Sequence, residues 1–356
     1  MKVLQLIDSL HPGGAERIAV NLANELSSNI GESFLCVTRE EGILNKSIVP
    51  EVNYLFLNKT KSVDFKAIRY LNNYIKRHQI DVIHAHSTSF FLASIIKLFN
   101  IKLKIIWHDH NGNRPNTSFK NKIVLKLCSL SFSTIISVNQ KNVDWLIKNI
   151  KHRRIENLPN FVVKDKVPAV TKLFGKSNKR IVCLANLRPE KEHLDLIEAF
   201  TLVLKKHPNW TLHLIGNDLK NAYSKLVFDK IEEYNLNNHV FVYGSKSDIS
   251  NILEQSSIGV LTSSFEGLPL SLLEYGLSNL PVVTTKVGAC EILISNNING
   301  ILVEVNNYKA FSDALSFLIK NPDKSNLFAR RFNSHIKNNY SINIFMRKIL
   351  KIYKTL

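Results

Sequence analysis

The chain lacks any stretch of the roughly 18 uncharged apolar residues that a membrane-spanning helix needs. Its longest apolar run, Val82–Ile96, is shorter and carries His84 and His86. Cysteine is scarce: Cys36, Cys128, Cys183 and Cys290 stand far apart in apolar surroundings, with no Cys-x-x-Cys pair. That excludes a disulfide frame or zinc ribbon and reads as reduced core thiols of a cytosolic protein. The first residues run directly into the strand-like Val3–Ile7, without the layout of a signal peptide. No Gly-x-Gly-x-x-Gly fingerprint and no Walker loop occur, which argues against an NAD enzyme and an NTPase. No Asp-x-Asp signature lies at a strand end, and no carboxylate–histidine cluster has metal-ligand spacing, so no metal or other cofactor is expected.

What is present points to a folded enzyme. At 356 residues the chain exceeds one ordinary core and suits two domains. A hydrophobic content of 45% with 21% charged residues excludes disorder. The net charge of +18 is unevenly placed. Residues 1–178 hold 26 basic against 13 acidic side chains, residues 179–319 hold 12 against 15, and residues 320–356 hold 9 against 1. A basic first half and tail suit a phosphate-rich partner, nucleic acid or an anionic membrane face.

Short β-branched runs alternate with helical patterns from end to end. Strands are expected at Val3–Ile7, Phe34–Val37, Tyr54–Leu57, Val82–Ala85, Lys104–Trp107 and Thr134–Val138. A second series is expected at Arg180–Ala185, Thr211–Ile215, Val240–Val242, Ile258–Leu261, Val282–Thr284 and Gly300–Val303. This alternation implies βαβ units and parallel sheets buried on both faces. The expected class is α/β, two Rossmann-like doubly wound parallel-sheet domains facing a central cleft. The first spans 1–163 and the second 179–339, joined by a linker at 164–178 that carries Pro168 and Gly175 and lacks periodicity. The basic amphipathic pattern Ile342–Tyr353 belongs to a final helix, 340–356, which is expected to pack back on the first domain.

Three constellations carry chemistry. Glu266 follows the strand Ile258–Leu261 and Glu274 lies eight residues on, about 12 Å along a helix by its rise. Two carboxylates so far apart suit hydroxyls at opposite ends of an extended ligand, and the intervening N–H groups of Gly267 and Leu268 suit an anion. Arg188 and Lys191 follow the strand Arg180–Ala185 and are placed to neutralise a diphosphate. Gly13 and Gly14 follow the first strand, where glycine lets backbone approach a ligand at a helix start.

In these and further segments the chain resembles the large family of retaining glycosyltransferases of the GT-B fold, family 4. The matching segments are Gly13–Arg17, Asp81–His86, Trp107–Asn111, Leu158–Asn160, Arg188 with Lys191, and Glu266 with Glu274 as the family's E-x7-E. Leu280–Val283, Gly288 with Glu291, and Asn299–Val303 complete the set, covering nearly the whole chain in order. The resemblance implies that Arg188 and Lys191 bind a nucleotide-sugar diphosphate and that Glu266 contacts sugar hydroxyls. The backbone of Gly267, Leu268, Pro269 and Leu270 would assist, while Glu274 would hold the ribose and Tyr243–Gly244 would flank the base. Gly13 and Gly14 would line the phosphate and acceptor side, with His108 near the reacting sugar. Glu266, His108, Arg188 and Lys191 are thus the catalytic candidates. Family frequency makes UDP-hexose or UDP-N-acetylhexosamine the default donor.

Departures occur at Phe161–Val163, Tyr275 and Cys290, which bear on the shape of the cleft. The expected reaction is metal-independent transfer with retention, in which the leaving phosphate takes the acceptor's proton. The basic regions point to a peripheral enzyme on the cytoplasmic membrane face, acting on a polyprenyl-diphosphate-linked glycan in capsule, O-antigen or exopolysaccharide synthesis. The stretches Phe90–Phe99 and Phe119–Leu127 interleave apolar and basic residues as a bilayer contact would. Two rivals are a nucleotide-sugar epimerase on the same fold and a basic nucleic-acid-binding protein, the second lacking any recognised module.

Overall fold

The β-branched and leucine-rich runs form thirteen strands among the described residues of the computed structural model, which are 1–111, 114, 118–165 and 167–356. The chain divides into two units, Met1–Asn160 with Phe345–Leu356, and Phe161–Ile344.

In the first unit the strands are β1 (Val3–Ser9), β2 (Ser33–Glu40), β3 (Val52–Phe56), β4 (Val82–His86), β5 (Lys104–Asp109), β6 (Thr134–Ser137) and β7 (Ile155–Asn157). All neighbours run parallel, in the order β3-β2-β1-β4-β5-β6-β7. The chain starts in the middle of the sheet, moves outward one way, then returns to β4 and moves the other way. That reversal between β1 and β4 opens a crevice at the strands' carboxyl ends. Six of these strands were expected; β7 was not, because Ile155-Glu156-Asn157 carries no apolar run and owes its place to pairing with β6.

The second unit repeats the plan with β8 (Arg180–Leu184), β9 (Thr211–Ile215), β10 (Val240–Val242), β11 (Ile258–Leu261), β12 (Val282–Thr285) and β13 (Ile301–Val303). Their order is β10-β9-β8-β11-β12-β13, again parallel, with the reversal between β8 and β11. Helices cover this sheet with large apolar side chains such as Phe200, Phe311 and Phe332, each buried and worth roughly 2 kcal/mol of transfer free energy.

Two departures from family pattern prove to be core residues. Tyr275 is fully buried, and its ring fills the space left by Gly259, where a Cβ would fall 2.6 Å from it. Its hydroxyl accepts from Leu184 N (2.6 Å) and lies 3.1 Å from Val260 O, tying β8 to β11. Cys290 is also buried, beside Thr284. At the third departure, Phe161 and Val162 are buried, and Val162 N donates to Tyr340 O.

The segment expected as a linker is fixed to the second unit instead. The Asp248 carboxylate accepts from Val170 N (2.9 Å) and Thr171 N (2.7 Å), and Ser250 N donates to Asp165 (2.6 Å). Side chains some 80 positions away supply the partners that a periodic pattern would otherwise announce. Lys166 lies outside the described residues.

Candidate active site

The Glu266 side chain is held at the β8–β11 reversal. Its carboxylate is 9% exposed. Lys191 Nζ lies 2.6 Å from its Oε1, and Ser263 Oγ donates to the same oxygen at 2.6 Å. The loop after β8 and the loop after β11 are tied together around this pair. Thr262 Oγ1 donates to Lys191 O (3.0 Å), and Ser264 N donates to Glu190 O (3.0 Å). From the other side, Thr285 Oγ1 donates to Ser263 O (2.5 Å) and Ala289 N to Gly267 O (3.1 Å). Gly288 has φ +50, and a Cβ there would fall 1.9 Å from the Glu266 carbonyl oxygen, so this close approach requires glycine.

One expectation changes. Residues 262–269 are not helical, and the helix runs Leu270–Leu277 with Pro269 before it. A helical rise therefore does not separate Glu266 from Glu274, and the helix start belongs to Leu270 and its successors. Gly267 and Leu268 sit in the irregular loop, and Glu274 lies half-buried on the helix. Arg188 is exposed at the head of the turn Pro189–Lys191, with no ion pair among the described residues. The Tyr243 hydroxyl accepts from Phe174 N (3.1 Å) and lies 3.0 Å from His213 Nδ1, so its ring is turned toward Phe174 and His213. His193 was not foreseen as a site residue. It is buried beside this loop, and burial, with the Lys191 charge contributing, pushes its imidazole down to about 4.

In the first unit, Gly13 caps the helix Gly14–Ile30 with extended backbone, and a Cβ on it would fall 2.3 Å from Glu16 Oε2. A carboxylate thus already faces this helix start. His84 and His86 on β4 and His108 on β5 share one face of the sheet, because alternate residues of a strand point the same way. Register places His86 opposite His108, and Gln5 of β1 opposite His84. All four are fully buried. His84 Nε2 lies 3.2 Å from His108 Nδ1, and His86 Nδ1 lies 2.9 Å from His110 Nε2. Both ring pairs have centroids 5.2 Å apart, the separation of rings facing nitrogen to nitrogen. Burial pushes His84 and His110 down to about 3 and holds His86 and His108 well below the ordinary imidazole range, each disfavoured further by charge on neighbouring rings except His110, where Asn160 opposes the fall.

His84, His86 and His108 also form a group whose nitrogens lie close enough for a metal ion. Ring nitrogens aimed at one another share a proton in line and do not converge on a common point. Their arrangement fits a hydrogen-bonded chain better than a ligand set.

The chain thus carries two doubly wound units in succession, the second with a lysine–glutamate pair at its strand reversal. Residues 12–166 match the family model described as Glycosyltransferase Family 4, and residues 163–334 match that described as Glycosyl transferases group 1. The chain belongs to the GT-B glycosyltransferases. It is similar to the UDP-Gal:alpha-D-GlcNAc-diphosphoundecaprenol alpha-1,3-galactosyltransferase of Escherichia coli, at 23% identity over 96% of this chain and 93% of the relative. It is also similar to the amylovoran biosynthesis glycosyltransferase AmsD of Erwinia amylovora, at 23% identity over 92% and 93%. In fold it matches Anabaena HepE, solved in complex with UDP and glucose, at TM-score 0.82 and 18% identity over the full length of both chains.

Proposed function

We propose that this glycosyltransferase moves a sugar from a nucleoside-diphosphate sugar, a UDP-sugar by preference, to a lipid-linked glycan in bacterial polysaccharide synthesis. The observation that carries the reading is the pair of half-buried Lys191 and buried Glu266 at the β8–β11 reversal, with Arg188 exposed on the same loop. A cation there meets the diphosphate while the carboxylate takes sugar hydroxyls, and Glu274 takes the ribose. The UDP preference and the lipid-linked acceptor draw support from the E. coli galactosyltransferase's name, and UDP also from the HepE complex.

The transfer proceeds with retention and without a metal ion. The bond from the anomeric carbon to phosphate breaks, and the acceptor oxygen bonds that carbon on the same face. The acceptor's proton passes to the departing phosphate oxygen, whose charge Arg188 and Lys191 stabilise. Following the anomeric proton of the product in the presence of a chelator tests retention and metal independence together.

The enzyme works on an anionic membrane surface. No helix among the described residues is long and apolar enough to cross a bilayer. In Phe119–Ser129, however, Leu125 faces the core while Phe119, Ile123, Leu127 and the following Leu130 are 78%, 45%, 64% and 86% exposed. These four fall on one side by helical spacing, with Lys120, Lys122 and Lys126 flanking them, a pattern suited to anionic headgroups over apolar chains. The other interleaved stretch behaves differently, since Leu92, Ala93 and Ile96 of Phe90–Phe99 are buried. Vesicles containing anionic lipid should sediment the protein at low salt, and Phe119→Ser with Leu127→Ser should release it. A wild type that ignores such vesicles contradicts this placement.

A further inference from the structure

The four histidines, Gln5 and Tyr353 form one continuous hydrogen-bonded chain inside the first unit. Tyr353 belongs to the last helix, Ile342–Lys354, and is buried against the sheet. Its hydroxyl lies 2.7 Å from His84 Nδ1, and Gln5 Nε2 donates to it at 3.4 Å. On its other side Gln5 Oε1 lies 2.8 Å from His86 Nε2. One branch therefore runs Gln5, Tyr353, His84, His108, and the other runs Gln5, His86, His110. The first ends on a buried nitrogen with no partner among the described residues, His108 Nε2, and the second ends on His110 Nδ1, with the Asn160 side chain beside its ring.

A neutral imidazole has one N–H and one lone pair, so the partner of one nitrogen dictates the state of the other. Gln5 Oε1 only accepts, so His86 Nε2 carries the proton, and His86 Nδ1 must accept from His110 Nε2–H. Gln5 Nε2 donates to the Tyr353 oxygen, so the phenol proton is free to go to His84 Nδ1. His84 then carries its proton on Nε2 and gives it to His108 Nδ1. His108 is left with its proton on Nε2, the unpartnered end. This order follows from the assigned orientation of the Gln5 amide; turned over, the amide reverses every bond. A buried N–H without an acceptor is costly, so this end of the chain is the one left to be satisfied.

We propose that Tyr353 and Gln5 are positioning residues that lock His108 as an Nε2–H donor toward an oxygen of the reacting sugar or its phosphate. The last helix thereby controls a proton position on β5 through His84. The kinetic part rests on the transferase reading above, whereas the proton positions do not.

The test is two-bond ¹H–¹⁵N NMR of histidine-labelled protein, with turnover measured on the same samples. In the wild type His108 should show the Nε2–H tautomer. Tyr353→Phe removes the donor to His84 Nδ1, leaves both directions of the His84–His108 bond equally served, and should give His108 a mixed tautomer. Its kcat should fall about two- to fivefold with donor KM unchanged. Gln5→Glu offers the phenol proton a carboxylate instead, so His84 Nδ1–H should donate to the phenol oxygen and His108 should move to Nδ1–H. Its kcat should fall tenfold or more, within the range of a lost general-acid or donor group. If Tyr353→Phe does not fold, the wild type and Gln5→Glu still decide the matter. An Nδ1–H tautomer in the wild type, or one His108 tautomer common to all three proteins, would overturn the proposal. A tautomer that moves while kcat stays constant would instead overturn the assignment of His108 to the reacting sugar.

Discussion

Replacing Lys191 by alanine should lower kcat by about 10²–10³-fold, the scale of losing one preorganised group that meets developing charge. Lys191 Nζ sits 2.6 Å from Glu266 Oε1, on a loop anchored by Thr262 and Ser264. The ammonium is therefore already in place when a phosphate departs. The same substitution leaves Glu266 buried without its partner, which is costly in its own right. Thermal unfolding must accompany the kinetics for that reason. Glu266→Gln keeps the shape and the Ser263 contact while removing the charge, so it should fold and still lose turnover. Removing both partners should cost less than the sum of the two single losses, because the groups act as a unit. A Lys191→Ala protein that folds and retains full turnover contradicts this role.

Acid should unfold the first unit well before general carboxylate protonation does. His84, His86, His108 and His110 are held neutral in the folded protein, the first and last at about 3, against an ordinary value of 6.5. Below pH 6.5 the unfolded chain takes up protons that the folded chain refuses, so stability is full above that pH and is lost as pH falls toward 3. Each histidine contributes on the order of 1 kcal/mol per pH unit in that window. Between pH 7 and pH 5 the unfolding free energy should fall by several kcal/mol, a large part of a typical domain's stability. Urea unfolding at stepped pH reads this directly, and a free energy flat from pH 7 to pH 5 contradicts it.

Much of the fold was legible because parallel strands buried on both faces tend to be continuously apolar, as β11 is. The Glu266 and Lys191 positions were legible for a related reason. Both directly follow such strands, and ligands gather where strand order reverses. Strand β7 was missed because its three residues carry no apolar signal. The attachment of 164–178 was not legible because Asp248 and Asp165 hold it by side-chain bonds that periodicity does not register. Tyr275 stood out as a departure only while its partner Gly259 was unknown.

The histidine chain was half visible. His84-Ala85-His86 and His108-Asp109-His110 have the period of two that puts each pair on one face of a strand. That β4 and β5 are neighbours, and that Tyr353 arrives from 269 positions away, depends on register and on the last helix. Neither is written in local sequence. The interleaved apolar and basic residues of Phe119–Leu127 were legible in the sequence, but which of them face outward depends on how the helix Phe119–Ser129 packs, with Leu125 buried and Phe119 and Leu127 exposed.

Proton NMR of the reaction reads sugar transfer from a nucleoside-diphosphate donor without an intermediary. The protein is incubated with UDP-galactose, UDP-glucose or UDP-N-acetylglucosamine, a diphosphate-lipid-linked glycan and a chelator. One donor should be consumed only when the acceptor is present, and the new anomeric proton should keep the donor's α configuration. Conversion of the donor to an epimer without acceptor, or a product of inverted configuration, would contradict it.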